Sequence, residues 1–173
     1  MKLFLYLGNL LLFTLFSSSV ANAGVFFAIA PAIITIDTDN GSTRPLVADI
    51  RLAYEIEKHQ LELAVMSSIN EDKLNQLTVG IPSITSIFYR YSPYYEDRLK
   101  IHLILGTSQI DVDSSYPNTV DATDSFEGVS FGIGVEEAFV SIPNLKIKLD
   151  WIQLYRGDQL NINALSLGLR YEF

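Results

Sequence analysis

Ala164-Leu-Ser-Leu-Gly-Leu-Arg-Tyr-Glu-Phe173 alternates without a fault. Leu165, Leu167, Leu169, Tyr171 and Phe173 fall on one side, and Ala164, Ser166, Gly168, Arg170 and Glu172 on the other. Successive side chains of a strand point to opposite faces, so one face of this strand is apolar and the other small or charged. A strand that runs to the last residue has nothing after it to cover its edge. Closing the sheet on itself removes the edge.

Seven segments upstream repeat the pattern. Residues 24–37 set Val25, Phe27, Ile29, Pro31 and Ile33 against Ala28, Ala30 and Ala32, and residues 45–56 set Leu46, Ala48, Ile50, Leu52, Tyr54 and Ile56 against Val47, Asp49, Arg51, Ala53 and Glu55. Residues 59–70 place Leu61, Leu63, Val65 and Ile69 opposite Gln60, Glu62, Ala64 and Met66. In 77–91, Leu77, Val79, Ile81, Ile87, Tyr89 and Tyr91 are read on one face, with Thr78, Gly80, Ser86 and Arg90 on the other. Segments 98–112, 126–138 and 145–155 alternate in the same way, with Lys100, His102, Gly106 and Ser108, then Gly128, Ser130, Gly132, Gly134 and Glu136, then Lys146, Lys148 and Asp150 on the polar side. The connections 37–44, 70–76, 113–125 and 156–161 are polar and carry acidic residues. Those at 57–58, 92–97 and 140–144 are generally shorter. Eight strands with long and short connections in turn predict an all-β, eight-stranded, antiparallel up-and-down barrel with both ends of the chain on one side.

Two barrels fit that pattern, a soluble one with its apolar face inward and a membrane one with it outward. Eight strands leave an interior only just wide enough for side chains. The small residues Ala28, Ala30, Ala32, Gly128, Ser130, Gly132, Gly134, Ala164, Ser166 and Gly168 share one face and suit that crowded interior. The other face is Leu, Ile, Val, Phe and Tyr almost throughout, a large aggregating patch in water but ordinary in lipid. The transmembrane reading follows. The last strand, together with Gly132-Ile-Gly-Val-Glu136 in the sixth, resembles the small bacterial outer-membrane barrels of the OmpA/OmpX type. That resemblance implies an outer-membrane location among lipids and lipopolysaccharide, and a monomer delivered by periplasmic chaperones. It also implies that Tyr171 and Phe173 are part of the signal read by the barrel-assembly machinery.

The N-terminus agrees. Lys2, the apolar run 3–16 and a small-residue stretch closing on Ala21-Asn-Ala23 have the layout of a cleavable signal peptide. Residues 1–23 are therefore set apart from a single barrel domain, 24–173. That domain has 11 Lys and Arg against 20 Asp and Glu, a net charge of −9, which argues against nucleic acid as a partner. With no cysteine in the sequence, no disulfide framework supports it.

Asp49, Arg51, Glu55, Glu62, Arg90, Lys100, Glu136, Lys146, Lys148, Asp150, Arg170 and Glu172 all fall on the interior face. Ions in so narrow a space need partners, because desolvating an unpaired one costs several kcal/mol. The expectation is a packed salt-bridge network that plugs the barrel, and a narrow ion path is the alternative. Tyr54, Tyr89, Tyr91, Tyr94, Tyr95, Phe139, Tyr171 and Phe173 fall toward the end that carries the termini, with Trp151 and Tyr155 toward the other, as interfacial belts would.

Candidate chemistry is sparse. His102 is the best single base, but the His-x-Ser-Asn stretch of the outer-membrane deacylases is absent around His102 and around His59. Asp37-Thr-Asp-Asn-Gly41 starts like a calcium loop, yet its Asn comes one residue early and no Glu follows in place, so it reads as a hairpin. Asp113, Asp121 and Asp124, preceded by Asp111, make the third outer connection acidic, a solvated loop by default with divalent ions bridging lipopolysaccharide as the alternative, and Arg156-Gly157-Asp158 in the fourth is hairpin chemistry that coincides with an adhesive tripeptide. No catalytic, cofactor or metal residues are assigned. The function expected is non-enzymatic, an envelope structural or surface-interaction role. A lipid-modifying enzyme is the alternative, and a soluble periplasmic binding barrel the third.

Overall fold

The computed structural model describes residues 23–96, 98–117 and 120–173. Apart from Ala23, the segment read as a signal peptide lies outside them. The described chain forms ten strands: β1 (Ala23–Thr38), β2 (Gly41–Thr43), β3 (Leu46–Ile56), β4 (His59–Asn70), β5 (Asp72–Leu74), β6 (Leu77–Tyr95), β7 (Leu99–Ser115), β8 (Ala122–Ala138), β9 (Leu145–Arg156) and β10 (Leu160–Glu172). The eight long strands pair antiparallel in chain order, and β10 pairs with β1 to close the barrel. The short strands β2 and β5 pair with β1 and β6 at the end away from the termini.

The closing seam has one irregular point. Pairing is continuous up to Ile29 with Leu169 and resumes at Ala32 with Ser166, skipping Pro31, which has no N–H to give to the ladder. Gly168 sits in this gap. A Cβ there would lie 2.3 Å from the Ala30 Cβ and 2.3 Å from the Ile29 carbonyl oxygen, so the strands meet only because position 168 has no side chain.

The faces follow the alternation. Ile29, Leu52, Leu63, Ile87, Leu103, Ile133, Leu149 and Leu167 point out of the wall, each 46–56 % exposed, and their neighbours in sequence are buried inside. The closed sheet pairs its backbone within the wall and turns an apolar girdle outward, as a membrane crossing requires. The girdle also has an upper limit. Going toward the loop end, the outward positions turn polar at Thr35, Thr85, Thr107, Glu127 and Asn163, while β4 keeps Ile69 outward beyond Ser67. β6, β7 and β8 continue well above that line.

The structure corrects the sequence reading of β6. Val79 and Ile81 are buried inside the barrel, not on the lipid face with Ile87 and Tyr89. The register against β7 shifts between Gly80 and Ser83, around Pro82, and an inserted residue reverses the alternation on either side of it. Strands also extend into segments read as connections. β6 runs to Tyr95 through a second irregularity between Tyr91 and Tyr94, and β7 and β8 reduce the third outer connection to 116–121, so Asp113 and Asp124 are strand residues.

Candidate functional site

The lumen is filled in layers. Nearest the termini and through the middle lie the charges, in two groups of three cations and three anions. In the first, Arg51 donates to Asp49 (2.6 Å), Glu62 (2.7 Å) and Asp150 (2.9 Å); Lys148 reaches Glu62 (2.9 Å) and Asp150 (3.2 Å); and Arg90 bonds Asp150 and lies 3.3 Å from Glu62. In the second, Arg170 bridges Glu55 (2.6 Å) and Glu136 (2.5 Å), Lys146 bonds Glu172 (2.7 Å), and Lys100 bonds Glu55. Arg90 links the groups through Glu136 at 3.6 Å. Flat rings complete the shell, with Arg170 3.4 Å over Phe26 and Lys100 4.1 Å over Tyr95. The interior residues expected from alternation are thus together in space. Each of the six cations has an anionic partner, which offsets part of the cost of burying it.

Glycines make the room. A Cβ on Gly134 would stand 2.1 Å from Asp150 Oδ1 and 3.3 Å from Arg90 Nη1. Above the charges, Ser86, Ser108 and Ser130 share hydroxyl hydrogen bonds of 2.7 Å around the wall, ending on the Leu154 carbonyl at 3.0 Å. Above these again, Ile34, Met66, Ile81, Ile84, Ile110, Ile152, Leu154 and Ile162 form a fully buried apolar plug. Sequence reasoning missed this layer. Its members are inward-facing Ile and Leu that differ from the lipid-facing ones only by strand phase, and bulges shift that phase in β6 and β9.

The bulge in β9 also moves Tyr155. It was expected in the outer aromatic belt, but it is half-buried and packs on the apolar plug and on Phe126, with ring centroids 5.4 Å apart. Tyr95, expected in the belt near the termini, instead covers the lumen there and donates its hydroxyl to Glu55 (3.2 Å). Tyr89 and Tyr91 keep their belt positions, Tyr89 stacked on His59 and Tyr91 tilted against it. Trp151 faces outward beside Phe131.

His102 has the makings of a nucleophile–base pair. Its Nδ1 lies 3.0 Å from Ser92 Oγ and its Nε2 3.4 Å from Glu136 Oε2. An acyl-transfer site has these parts, but it also needs a path for substrate. All three residues are sealed inside the wall, and Glu136 is held by Arg170. The group therefore joins the packing of the charged layer. Among the described residues no cluster of three or more acidic or His side chains is arranged to hold a metal. The 37–41 stretch is a hairpin, with Thr38 paired to Gly41 and its hydroxyl on the Gly41 carbonyl (3.0 Å). Arg156-Gly157-Asp158 opens the last hairpin, where the Gly157 N–H donates to the Leu160 carbonyl (2.8 Å).

The six luminal cations match six luminal anions, so the excess charge lies outside. The loop end carries ten carboxylates against Arg44, Lys73 and Arg156, a net −7. Some of these acids are built into the wall above the apolar band. Asp111 accepts from Ser83 (2.7 Å) and Ser125 (2.5 Å), which holds its carboxyl below the usual range, and Asp113 accepts from Thr123 (2.6 Å).

No protein-family model matches the chain, and no curated protein does. Solved structures do. Ail, the attachment invasion locus protein of Yersinia pestis, solved with the heparin analogue sucrose octasulfate, superposes with a TM-score of 0.67 at 14 % identity, over 88 % of this chain and 99 % of Ail. Neisserial surface protein A matches with the same score, identity and coverage. The N-terminal barrel domain of Pseudomonas aeruginosa OprF gives 0.62 at 13 % identity, over 87 % of this chain and 99 % of that domain. The chain has the fold of the small eight-stranded outer-membrane barrels.

Proposed function

We propose that this chain is a resident outer-membrane barrel with neither catalytic nor channel activity, and that it presents a polar, acidic strand crown for surface interactions. The observation that carries the reading is the filled lumen, in which a charge-balanced network and an apolar plug lie one above the other. A passage needs mobile charges or a void, and an acyl-transfer site needs a substrate path. The lipid-modifying alternative finds no support, since its best base is enclosed with its partners. Removal of residues 1–23 on export, handling by periplasmic chaperones and the assembly machinery, contact with lipopolysaccharide, and a monomeric state belong to the same proposal.

The crown also bears on the kind of partner. Ail was solved with a polysulfated sugar. A polyanion approaching this chain would meet a net −7, so soluble partners with positive charge are favoured and contact with lipopolysaccharide would run through bridging divalent cations. Cell fractionation tests the reading: the protein is expected in the outer membrane, migrating faster on gels when unheated than after boiling. Recovery in the soluble periplasm without detergent would refute it.

A further inference from the structure

We propose that the mouth of the barrel at the loop end is a binding cup for a small organic cation with an apolar body, such as an aromatic quaternary amine. A cavity of about 250 Å³ opens there. Its floor is Ile36 and Val79, and Leu77, Val112, Phe126 and Leu160 stand around it. Beneath the floor the apolar plug is fully buried, so a ligand entering the cup stops in it.

The side wall is built in advance. Gly41 has no side chain, and a Cβ there would lie 2.8 Å from Leu74 Cδ2, so Leu74 closes that side only because position 41 is glycine. The Arg44 N–H donates to Asp72 (2.6 Å), tying the first outer hairpin to the second. An apolar concavity with a few convergent polar groups is where small ligands bind.

The charge of the ligand follows from Asp124. It pairs with Val112 across β7 and β8, on the inward side, and lines the cavity. Unlike Asp111 and Asp113, which take hydroxyl donors, its carboxylate has no hydrogen-bond or ion partner among the described residues. Phe126, two residues on, places an aromatic ring on the same side, and a cation over a ring face is attracted to it. A neutral apolar guest would make no use of the Asp124 carboxylate at the rim, and a bare metal ion would make no use of the apolar walls. An organic cation satisfies both, and the net −7 around the mouth raises its local concentration. The inference relies on the surface reading above only for access from outside; the binding itself does not depend on it.

The test uses the barrel in phospholipid nanodiscs, titrated with benzyltrimethylammonium and followed through the methyl resonances of Ile36, Val79 and Leu160. A saturable shift is expected, with tetramethylammonium binding at least roughly tenfold more weakly because it lacks the apolar body. Asp124→Asn, a change at an exposed rim position, should weaken binding by about tenfold. Val79→Phe, which fills the cup, should abolish it. The absence of a saturable shift, or equal affinity in wild type and Asp124→Asn, overturns the proposal. So does undiminished binding by Val79→Phe.

Discussion

Arg170 is fully buried and holds Glu55 at 2.6 Å, Glu136 at 2.5 Å and the face of Phe26 at 3.4 Å. Removing it would leave five cations inside the wall against six carboxylates, with Glu55 and Glu136 losing a partner. Breaking a buried pair from one side costs about 3–5 kcal/mol, because the remaining ion stays desolvated. Arg170→Met is therefore expected to lower the stability of the refolded barrel by that order in urea titrations in lipid, whereas changing the exposed pair Arg98 and Glu137 (3.6 Å) should shift it by less than about 1 kcal/mol. Equal effects would mean that the luminal pairs are as well hydrated as the surface one. At this scale the sequence was informative in a particular way. Parity along a strand shows that Arg51 and Asp150 both face inward. That they bond each other across 99 residues depends on which strands meet when the sheet closes, and local pattern carries no record of that. Tyr155 shows the cost of relying on parity: one bulge in β9 turned an expected belt residue into a plug residue.

The strands are the units on which the membrane acts, and each carries its own boundary. On β7 the outward positions run Leu99, Ile101, Leu103 and Leu105, then Thr107 and Gln109. On β8 they run Val135, Ile133, Phe131 and Val129 before Glu127. An arginine on the lipid face costs about 2–4 kcal/mol at mid-bilayer and roughly 0–1 near the interface. Ile133→Arg is expected to lose the larger amount and Thr107→Arg the smaller, in unfolding from lipid vesicles. Similar losses at both sites would place the band elsewhere. β10 poses a separate question. The Phe173 ring is largely exposed and rests edge-on against Tyr171, while its N–H donates to the Val25 carbonyl (3.1 Å) at the seam. Deleting the ring from the finished barrel should cost on the order of 1 kcal/mol of apolar burial. If Tyr171 and Phe173 are read during assembly, as proposed, Phe173→Ala will sharply lower outer-membrane yield in cells while the purified protein still refolds in detergent. Unchanged yield in cells would reduce Phe173 to an ordinary rim residue. The eight long strands and most of their boundaries were legible because two-residue alternation persists over ten or more positions, whereas β2 and β5, three residues each, fall in segments read as connections. The extensions of β6, β7 and β8 were not, since above the band polar residues occupy the outward face and the sequence there reads like loop.

At the scale of the molecule, strand number and filling together set what can pass. Eight strands enclose only enough space for side chains, and here the space is used twice. The charged layer holds its ions by mutual pairing, and the plug above excludes water by packing Ile34, Ile81, Ile110, Ile152 and Leu154 against one another. A defect in one layer leaves the other intact. In the charged layer, Glu62→Gln removes an acceptor shared by Arg51, Arg90 and Lys148, loosening the network without opening the plug. In the plug, Ile81→Ala with Ile110→Ala creates a void above a network that still spans the lumen. Wild type and both variants are therefore expected to leave proteoliposomes impermeable to a small sugar in a swelling assay, with the variants showing lower unfolding midpoints but no uptake. Swelling of the wild type would refute the sealed lumen outright. Swelling of the Glu62→Gln barrel alone would show that the ion network, not the apolar plug, is the seal, and that mobile charge pairs can carry solute past the isoleucines.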